Sequence, residues 1–472
     1  MTLAQIAALT VLAVGIGQLK SGRQLALLAV STAVLFWLQP LEPLPTLGYW
    51  LPFGTLALTI ISWVLTSESA ARSWSQTWPA AAVIVGVAIL VHLNGITGGR
   101  LNPAIVSPRT SQALFAIVVT AGLASLLWRW KAPQPFFRIG LSGLIVLAFI
   151  LIKAPGLVGA AVTLWRSLPL VRGSVDAEVP FSWLGFSYVA FRLLHTVRDR
   201  QAGRLPAVSL GEYVIYVIFF PAFTAGPIDR VERFAGDLRS PLELRNDDWL
   251  DAGTRLVLGL FKKFVVADLL AVISISDVLV QHVKSAGWMW LFLYAYAFRI
   301  YFDFSGYTDI AIGMGRLLGV RLPENFNAPY LKPNIALFWN SWHMSLTQWF
   351  RSYVFNPLTR RLRSDRPSLP TWLAVLVTQL VTMVLIGLWH GITWGFALWG
   401  LWHGLGLFAH NRWAEFTRGR WPAGSASPSA TRAVGILGMI LTFNFVAVGW
   451  LLFGLSTPAL AWQALRMLVA AI

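Results

Sequence analysis

The sequence has 472 residues, of which 56% are hydrophobic and only 12% are charged, and its mean hydropathy is +0.64. A soluble chain would carry about twice that share of charged residues. Apolar runs long enough to cross or nearly cross a bilayer recur from end to end. The composition therefore excludes an ordinary soluble domain. It predicts an all-α, polytopic integral membrane protein with roughly 11–14 membrane helices, some of them re-entrant or interfacial.

The charge is strongly basic, with 37 Lys and Arg against 20 Asp and Glu, which gives a net charge of +17. In a soluble chain this excess would point to nucleic acid. Here the basic residues gather in short loops between apolar runs, as the positive-inside rule requires, so we assign those loops to the cytoplasm and expect no nucleic-acid partner. There is no cysteine, which excludes thiol acyl-enzymes and thiolate metal sites. The basic loops centre on residues 20–23, 129–138, 198–204, 360–366 and 412–420.

Taken in chain order, residues 1–178 form apolar N-terminal helices without an ionisable cluster that suggests chemistry. The segment 219–249 leaves the membrane through a Gly-Pro break and is predicted to form an interfacial or loop-borne helix. Three prolines and three asparagines exclude a continuous spanning helix over 320–334. We predict a core domain over 179–456, containing a flexible linker at 422–432, and a C-terminal helix over 457–472.

Three histidines fall within about sixty residues of this core. His343 lies in the aromatic run 338–355, and His390 and His403 lie in the run LWHGITWGFALWGLWHG at 388–404. Ionisable groups in a membrane segment are costly, so each is a candidate functional residue. Apolar surroundings favour the uncharged imidazole, which accepts a proton.

The spacing of these histidines argues against a metal centre. His390 and His403 are thirteen residues apart, not the four that place two ligands on one helical face, and no Asp or Glu lies between residues 366 and 414. A metal or bis-histidine haem site would rest on histidine alone, and a haem protein stays open as an alternative. No G-x-S-x-G nucleophile elbow occurs, which argues against an acyl-enzyme of the α/β-hydrolase type. The chemistry that these residues still allow is a neutral histidine acting as general base on an acceptor hydroxyl.

A further polar motif, RIYFDFSGYTDIAIGMG, occupies residues 299–315. Arg299 and Asp303 are four residues apart, so on a helix they share a face and would neutralise each other, whereas Asp309 faces elsewhere. A purely structural role, in which such pairs let polar helices pack, has at least as much weight as a catalytic one.

Five motifs, in this order and spacing, resemble those of the membrane-bound O-acyltransferase family over roughly residues 180–455. Within that family the chain is similar to two bacterial branches, the alginate O-acetyltransferase type and the D-alanyl transfer protein of lipoteichoic acid modification. The motifs are GFSYVAFRLLHTV (185–197), FFPAFTAGPIDRVERF (219–234), YFDFSGYTDIAIGMGRLLGVRLPENFNAPY (301–330), FWNSWHMSLTQWFRSYVFNPL (338–358) and GLWHGITWGFALWGLWHG (387–404).

The resemblance implies that His390 is the active-site histidine and that His343 is a second signature position on a neighbouring helix. It also implies a central tunnel that admits an acyl donor from the cytoplasm and an acceptor hydroxyl from outside. We expect His403 to serve packing or orientation. The residues expected to line or support the tunnel are Arg299, Asp303, Asn340, Trp342 and Trp389.

Two positions depart from the family pattern. The family commonly has Arg before the Trp-His pair and Asp after the Phe-Arg pair, where this chain has Ser341 and Ser352. The two serines are eleven residues apart, so on one helix they would share a face. An Arg–Asp pair across that face would then have been replaced by two hydroxyls.

The hypothesis is an O-acyltransferase in a bacterial cytoplasmic membrane, assigned to the enzyme class that transfers groups other than amino-acyl or D-alanyl groups. It would move an acetyl or D-alanyl-like group from acetyl-CoA or an acyl carrier protein to a hydroxyl of an envelope or secreted polysaccharide. Periplasmic acyl-transfer partners fit the same scheme, and no tightly bound cofactor is expected. The alternatives are a transporter or flippase of envelope precursors, in which broken helices form the substrate path, and a lipid O-acyltransferase of the same family.

Overall fold

Across the residues that it describes, the computed structural model is helical and contains no strand. Those residues form two compact units, residues 1–256 with 310–323, and residues 257–309 with 324–472. The division of the sequence at residues 178 and 456 stays a prediction. The described residues are 1–40, 46–68, 72–97, 106–129, 135–154, 157, 159, 183–418, 420 and 427–470.

Ten of the described helices begin in the first unit, and its last part, residues 310–323, comes from a later helix and loop. The helices are α1 (Leu3–Gly17), α2 (Arg23–Trp37), α3 (Leu47–Thr66), α4 (Trp74–Ile96), α5 (Thr110–Arg129), α6 (Pro135–Lys153), α7 (Phe186–Gln201), α8 (Leu210–Ile218), α9 (Val231–Arg239) and α10 (Asn246–Phe261).

The second unit starts at Val257, within α10, which the π-helical segment Lys262–Ala267 continues. It contains a second π-helical segment at Arg351–Phe355 and a 3₁₀ turn at Pro329–Leu331. Its helices are α11 (Asp268–Val272), α12 (Asp277–His282), α13 (Ala286–Leu317), α14 (Ile335–Trp339), α15 (Met344–Phe350), α16 (Asn356–Asp365), α17 (Thr371–His390), α18 (Trp394–Arg418), α19 (Pro428–Gly454) and α20 (Pro458–Val469).

Six of the described helices, α3, α4, α5, α6, α17 and α19, are long and apolar enough to cross a membrane. The apolar helices α1 and α2 have 15 residues each and are shorter than a full span. On α5 and α6 large apolar side chains face outward, as Phe115 does at 70% exposure and Phe136 at 76%. Such faces need an apolar solvent, so the prediction of an all-α, multi-pass membrane protein is confirmed.

The predicted break after residue 219 is also confirmed. Helix α8 ends at Ile218, turns follow, and the short helix α9 buries Phe234 and Leu238. The buried Arg192 supports the break, because its guanidinium donates hydrogen bonds to the carbonyls of Val217 (2.7 Å) and Ala222 (3.1 Å), where helical bonding stops.

The predicted linker at 422–432 is only partly within the described residues. Residues 422–426 lie outside them, and from Pro428 onward the chain is helical, capped by the Ser427 hydroxyl on the backbone N–H of Ala430. The prediction was therefore wrong for residues 428–432, because Ser-Pro begins a helix here: Ser is a strong N-cap and Pro suits the first helical turn.

In the second unit, glycines bring α17 and α18 into backbone contact. A Cβ at Gly387 would overlap the carbonyl oxygen of Phe396, and one at Gly400 would overlap that of Met383. The close approach fixes the end of α17, which carries His390, against the first turn of α18.

Candidate active site

His343 lies in the turn between α14 and α15, not within a helix. Its backbone is left-handed, with φ of 42°, which is uncommon for a residue other than glycine. The turn is held by the proline-rich stretch before it: the Asn325 side-chain oxygen accepts from the N–H (3.2 Å) and the hydroxyl (2.6 Å) of Ser345. The backbone of Asn325 accepts from the N–H of Met344, and Asn327 donates to the carbonyl of Ser341, both at 3.0 Å.

The His343 imidazole is therefore free of the capping role that an N-cap side chain usually has. Its side chain is 2% exposed, with the ring of Phe304 edge-on at 4.6 Å and that of Trp389 at 5.9 Å. Its Nε2 has no hydrogen-bond partner among the described residues. Burial lowers the pKa of His343 well below its ordinary value, and the nearby His390 lowers it further, so the imidazole is held neutral.

His390 is the last residue of α17. Its ring contacts those of Trp389 (4.5 Å), Phe453 (4.7 Å) and Trp399 (5.7 Å). Unlike His343 and His403, it is only partly buried. Of the three predicted histidines, His390 is thus the least buried.

A cavity of about 880 Å³ is lined by aromatic rings that contact these two histidines, although neither His343 nor His390 itself is among its lining residues. Its apolar wall includes Phe304, which contacts His343, and Phe396 and Phe453, which contact His390. Its volume is within the range of small-molecule sites, and its mixed lining suits an acceptor with hydroxyl groups. The polar part of the lining comprises Asp268, Ser276, Asp277, Tyr296, Arg299, Asp303, Thr393 and Ser456.

A smaller cavity, of about 220 Å³, is lined by residues of α17 that precede His390, among them Gln379 and Ile386. Its lining also includes Asn340 and Arg351, which are joined by a hydrogen bond of 2.6 Å from the guanidinium to the Asn340 oxygen. Asn340 and Arg351 thus place polar groups next to the turn that carries His343. Two cavities therefore adjoin the histidine-bearing segments of the second unit.

His403 is fully buried, with 0% exposure, among the rings of Trp399 (4.9 Å), Trp339 (5.3 Å) and Phe445 (5.8 Å). Neither of its ring nitrogens has a hydrogen-bond partner within the described part of the chain. A Cβ at Gly449 would come within 3.0 Å of its Nε2, so this glycine makes room for the ring. His403 lines neither cavity.

Comparison with known proteins identifies the family of the chain. The family model described as MBOAT, membrane-bound O-acyltransferase family, matches residues 107–452. The chain belongs to the membrane-bound O-acyltransferase family.

Relatives in this family carry different acyl groups and acceptors in their names. The chain is 31% identical over 304 residues to a teichoic acid D-alanyltransferase of Streptococcus thermophilus, covering 61% of this chain and 72% of that protein. It is 33% identical to a probable alginate O-acetylase of Pseudomonas aeruginosa, covering 59% of this chain and 50% of the relative. It is 32% identical to a peptidoglycan O-acetyltransferase of Helicobacter pylori, covering 55% of this chain and 46% of the relative. The chain thus spans about half the length of the two O-acetylating relatives.

The two positions that depart from the family pattern, Ser341 and Ser352, do not share one helical face as predicted. Ser341 lies in the turn after α14, and Ser352 lies in the π-helical segment Arg351–Phe355. The left-handed His343 breaks the helix between them, so the spacing argument fails. Arg351, next to Ser352, instead bonds Asn340, next to Ser341.

The predicted pair of Arg299 and Asp303 does not form either. The Asp303 carboxylate pairs with the Lys263 ammonium at 2.5 Å, and Arg299 has no ion-pair partner among the described residues, although both line the large cavity. Asp309, which was expected to face elsewhere, pairs with Lys262 at 2.6 Å. Both lysines belong to the π-helical segment after α10, where Gly306 allows close packing: a Cβ there would lie 2.7 Å from the Gly259 carbonyl oxygen.

The remaining predicted tunnel residues are packing groups around the histidines. Trp342 is 5% exposed and contacts the rings of Phe326 (5.1 Å) and Trp450 (5.2 Å). Trp389 lies between His343 and His390 and contacts both rings. Sequence reasoning missed Asn325, Lys263 and the phenylalanines of the cavity wall, although Asn325 belongs to the NFN run of a family motif.

A separate group, His195, Asp199 and Glu232, has the composition of a metal site, with candidate ligand atoms within 4.8 Å of one another. Both nitrogens of His195 are already engaged, Nδ1 with Asp199 at 3.4 Å and Nε2 with the N–H of Val231 at 3.4 Å. Arg204 also pairs with Asp199 at 2.8 Å. These contacts tie α7 to the start of α9 and leave no nitrogen for an ion.

Proposed function

We propose that this protein is a membrane-embedded O-acyltransferase that moves an acyl group from a thioester donor to a hydroxyl of an envelope or secreted polysaccharide. The observation that supports this most is the position of His390, partly exposed at the end of α17 and in contact with Phe396 and Phe453, which line a cavity of about 880 Å³. Its family membership supports the same reaction class.

In the proposed reaction, His390 takes the proton from the acceptor hydroxyl while the hydroxyl oxygen attacks the thioester carbonyl carbon. The tetrahedral intermediate then expels the thiolate, which recovers the proton from the imidazolium, and the ester product forms. A positioned base of this kind contributes about 10² to 10⁴ in rate. His343, whose Nε2 has no hydrogen-bond partner among the described residues, would orient the acceptor or hydrogen-bond the developing oxyanion.

We assign the two cavities to the two substrates. The basic segment 360–366 precedes α17 and the basic segment 412–420 lies at the end of α18, so the positive-inside rule puts both on the cytoplasmic side. Helix α17 has 20 residues, about 30 Å, so His390 lies toward the opposite face of the membrane. The larger cavity would then receive the acceptor from outside, and the smaller one would lie on the donor path. Their aromatic walls would limit hydrolysis of the thioester.

The donor and acceptor follow by analogy with the relatives. We propose acetyl or D-alanyl as the acyl group, supplied by acetyl-CoA or an acyl carrier protein, with periplasmic acyl-transfer partners possible beyond the membrane. A bacterial cytoplasmic membrane is the corresponding location. The basic segment 360–366 would attract an acidic carrier or the phosphates of a coenzyme.

The test is the content of ester-linked acyl groups on the envelope polysaccharide of cells that lack the chromosomal copy and express either wild type or His390→Ala. We expect the variant to lose at least about 10² in transfer rate, and the esters with it. His282→Gln is the matched control, because His282 is exposed on α12 and lines neither cavity. Normal ester content with His390→Ala, at wild-type protein level, would reject the catalytic assignment.

A further inference from the structure

We propose that the first unit binds one anionic glycerophospholipid in a groove between α3, α4 and α5. The groove has a volume of about 510 Å³ and is lined mainly by apolar side chains. Its lining includes Phe53 and Val64 of α3, Ala88 of α4 and Ile117 of α5. All three helices are candidate membrane spans, so the groove lies at the depth of the hydrocarbon core, and its apolar lining suits an acyl chain.

The length of the groove corresponds to one leaflet. Its lining runs along α3 from Phe53 to Val64 and along α5 from Ile117 to Arg129. At 1.5 Å per residue these stretches extend about 16–18 Å, close to half of a hydrocarbon core of roughly 30 Å. One acyl chain, reaching from the interface to the middle of the bilayer, therefore fits this depth.

One end of the groove is basic. Arg129 ends α5 and Arg72 directly precedes the first turn of α4, and both line the groove. Arg72 is anchored by hydrogen bonds to the Val64 carbonyl (2.6 Å) and the Ser67 hydroxyl (3.0 Å), and Arg129 is exposed with no ion-pair partner among the described residues. The described lining contains no carboxylate to neutralise the two guanidiniums.

The same end has the aromatic residues of a membrane interface. Trp74, 74% exposed, and Trp128 line the groove next to Arg72 and Arg129. Tryptophan is enriched at the level of lipid headgroups. A headgroup phosphate would thus sit between two guanidiniums just where the acyl chain enters, which favours an anionic lipid over a zwitterionic one.

Native mass spectrometry of the purified full-length protein tests this, with phosphatidylglycerol and phosphatidylcholine of identical acyl chains as probes. We expect one phosphatidylglycerol to bind more tightly than phosphatidylcholine. Arg129→Gln should weaken phosphatidylglycerol binding roughly fivefold and phosphatidylcholine binding little. Its matched control is Arg109→Gln, because Arg109 is exposed just before the other end of α5 and does not line the groove.

A second pair of variants tests the acyl-chain part of the groove. Ala124→Phe places a ring in the groove and should weaken both lipids, whereas Val118→Phe, at a position 67% exposed and outside the lining, should weaken neither. Equal binding of the two lipids by wild type would overturn the proposal. So would equal losses in Arg129→Gln and Arg109→Gln, or displacement of the lipid by free glycerol phosphate at the concentration of the lipid probe.

Discussion

Replacing His403 with leucine should leave the protein as stable as wild type or more stable, and should leave acyl transfer close to the wild-type rate. His403 is fully buried, and neither ring nitrogen has a hydrogen-bond partner among the described residues. A buried polar group without a partner lowers stability, and leucine removes that group while keeping an apolar side chain of similar size.

The magnitude follows from two opposing effects. Leaving a buried polar group unsatisfied costs about 1–3 kcal/mol. A change of side-chain shape in a packed core costs up to about 1.5 kcal/mol. Here the His403 ring packs between Trp399 and Trp339, and its Nε2 lies 3.0 Å from the position that a Cβ on Gly449 would take. The free energy of unfolding should therefore change by between about −0.5 and 3 kcal/mol, where a positive value means that the variant is more stable.

The assay is the thermal unfolding midpoint of the purified protein, followed by tryptophan fluorescence, together with the ester content of the cells. His195→Leu is the contrasting variant: His195 is equally buried, but both of its nitrogens are engaged, with Asp199 and Val231. It should lower the midpoint, because the buried Asp199 loses a partner. A folded His403→Leu protein that loses about 10² or more in transfer rate would refute the reasoning and give His403 a chemical role.

Three further predictions concern the site. His343→Gly and His343→Val should both lose acyl transfer, and His343→Val should lower the midpoint more, since a β-branched residue at φ of 42° is strained by about 1–2 kcal/mol; equal midpoints would contradict this. Gly387→Ala should lower both the midpoint and the transfer rate, because its Cβ overlaps the Phe396 carbonyl; an unchanged protein would show that α17 and α18 separate freely. Lys263→Met should change the midpoint little, since Asp303 is 52% exposed, and a large drop would mean that this ion pair is structural.

The sequence predicted the features that depend on local chemistry. Long apolar runs became α3 to α6, α17 and α19. Gly-Pro at 226–227 and the proline-rich stretch 320–334 lie outside α-helices as expected, because proline lacks the N–H that helical hydrogen bonding needs, although the preceding helices already end at Ile218 and Leu317. The apolar surroundings of the histidines were visible in the same way, since neighbouring residues in the sequence contribute many of the rings.

What the sequence did not predict depends on contacts between distant residues. The pair of Arg299 and Asp303 was inferred from helical spacing, but a lysine forty residues upstream reaches the carboxylate instead. The shared face of Ser341 and Ser352 assumed one continuous helix. The left-handed turn at His343 contains no glycine that would have indicated it in the sequence. It is stabilised by Asn325, eighteen residues earlier in the chain.

The hydrogen bonds by which Asn325 fixes the turn at His343 affect how this site can evolve. The Asn325 side chain accepts the hydrogen bond that the side chain of an N-cap residue at position 343 would usually accept. The orientation of the His343 ring therefore depends on the loop that carries Asn325, which does not contact the substrates. Small changes in that loop, such as Asn325→Asp or a one-residue deletion, would reorient the imidazole without altering any residue that contacts the substrates. The preference of the site for one acceptor alcohol over another would then change through substitutions in this loop, while His343 and His390 stay unchanged.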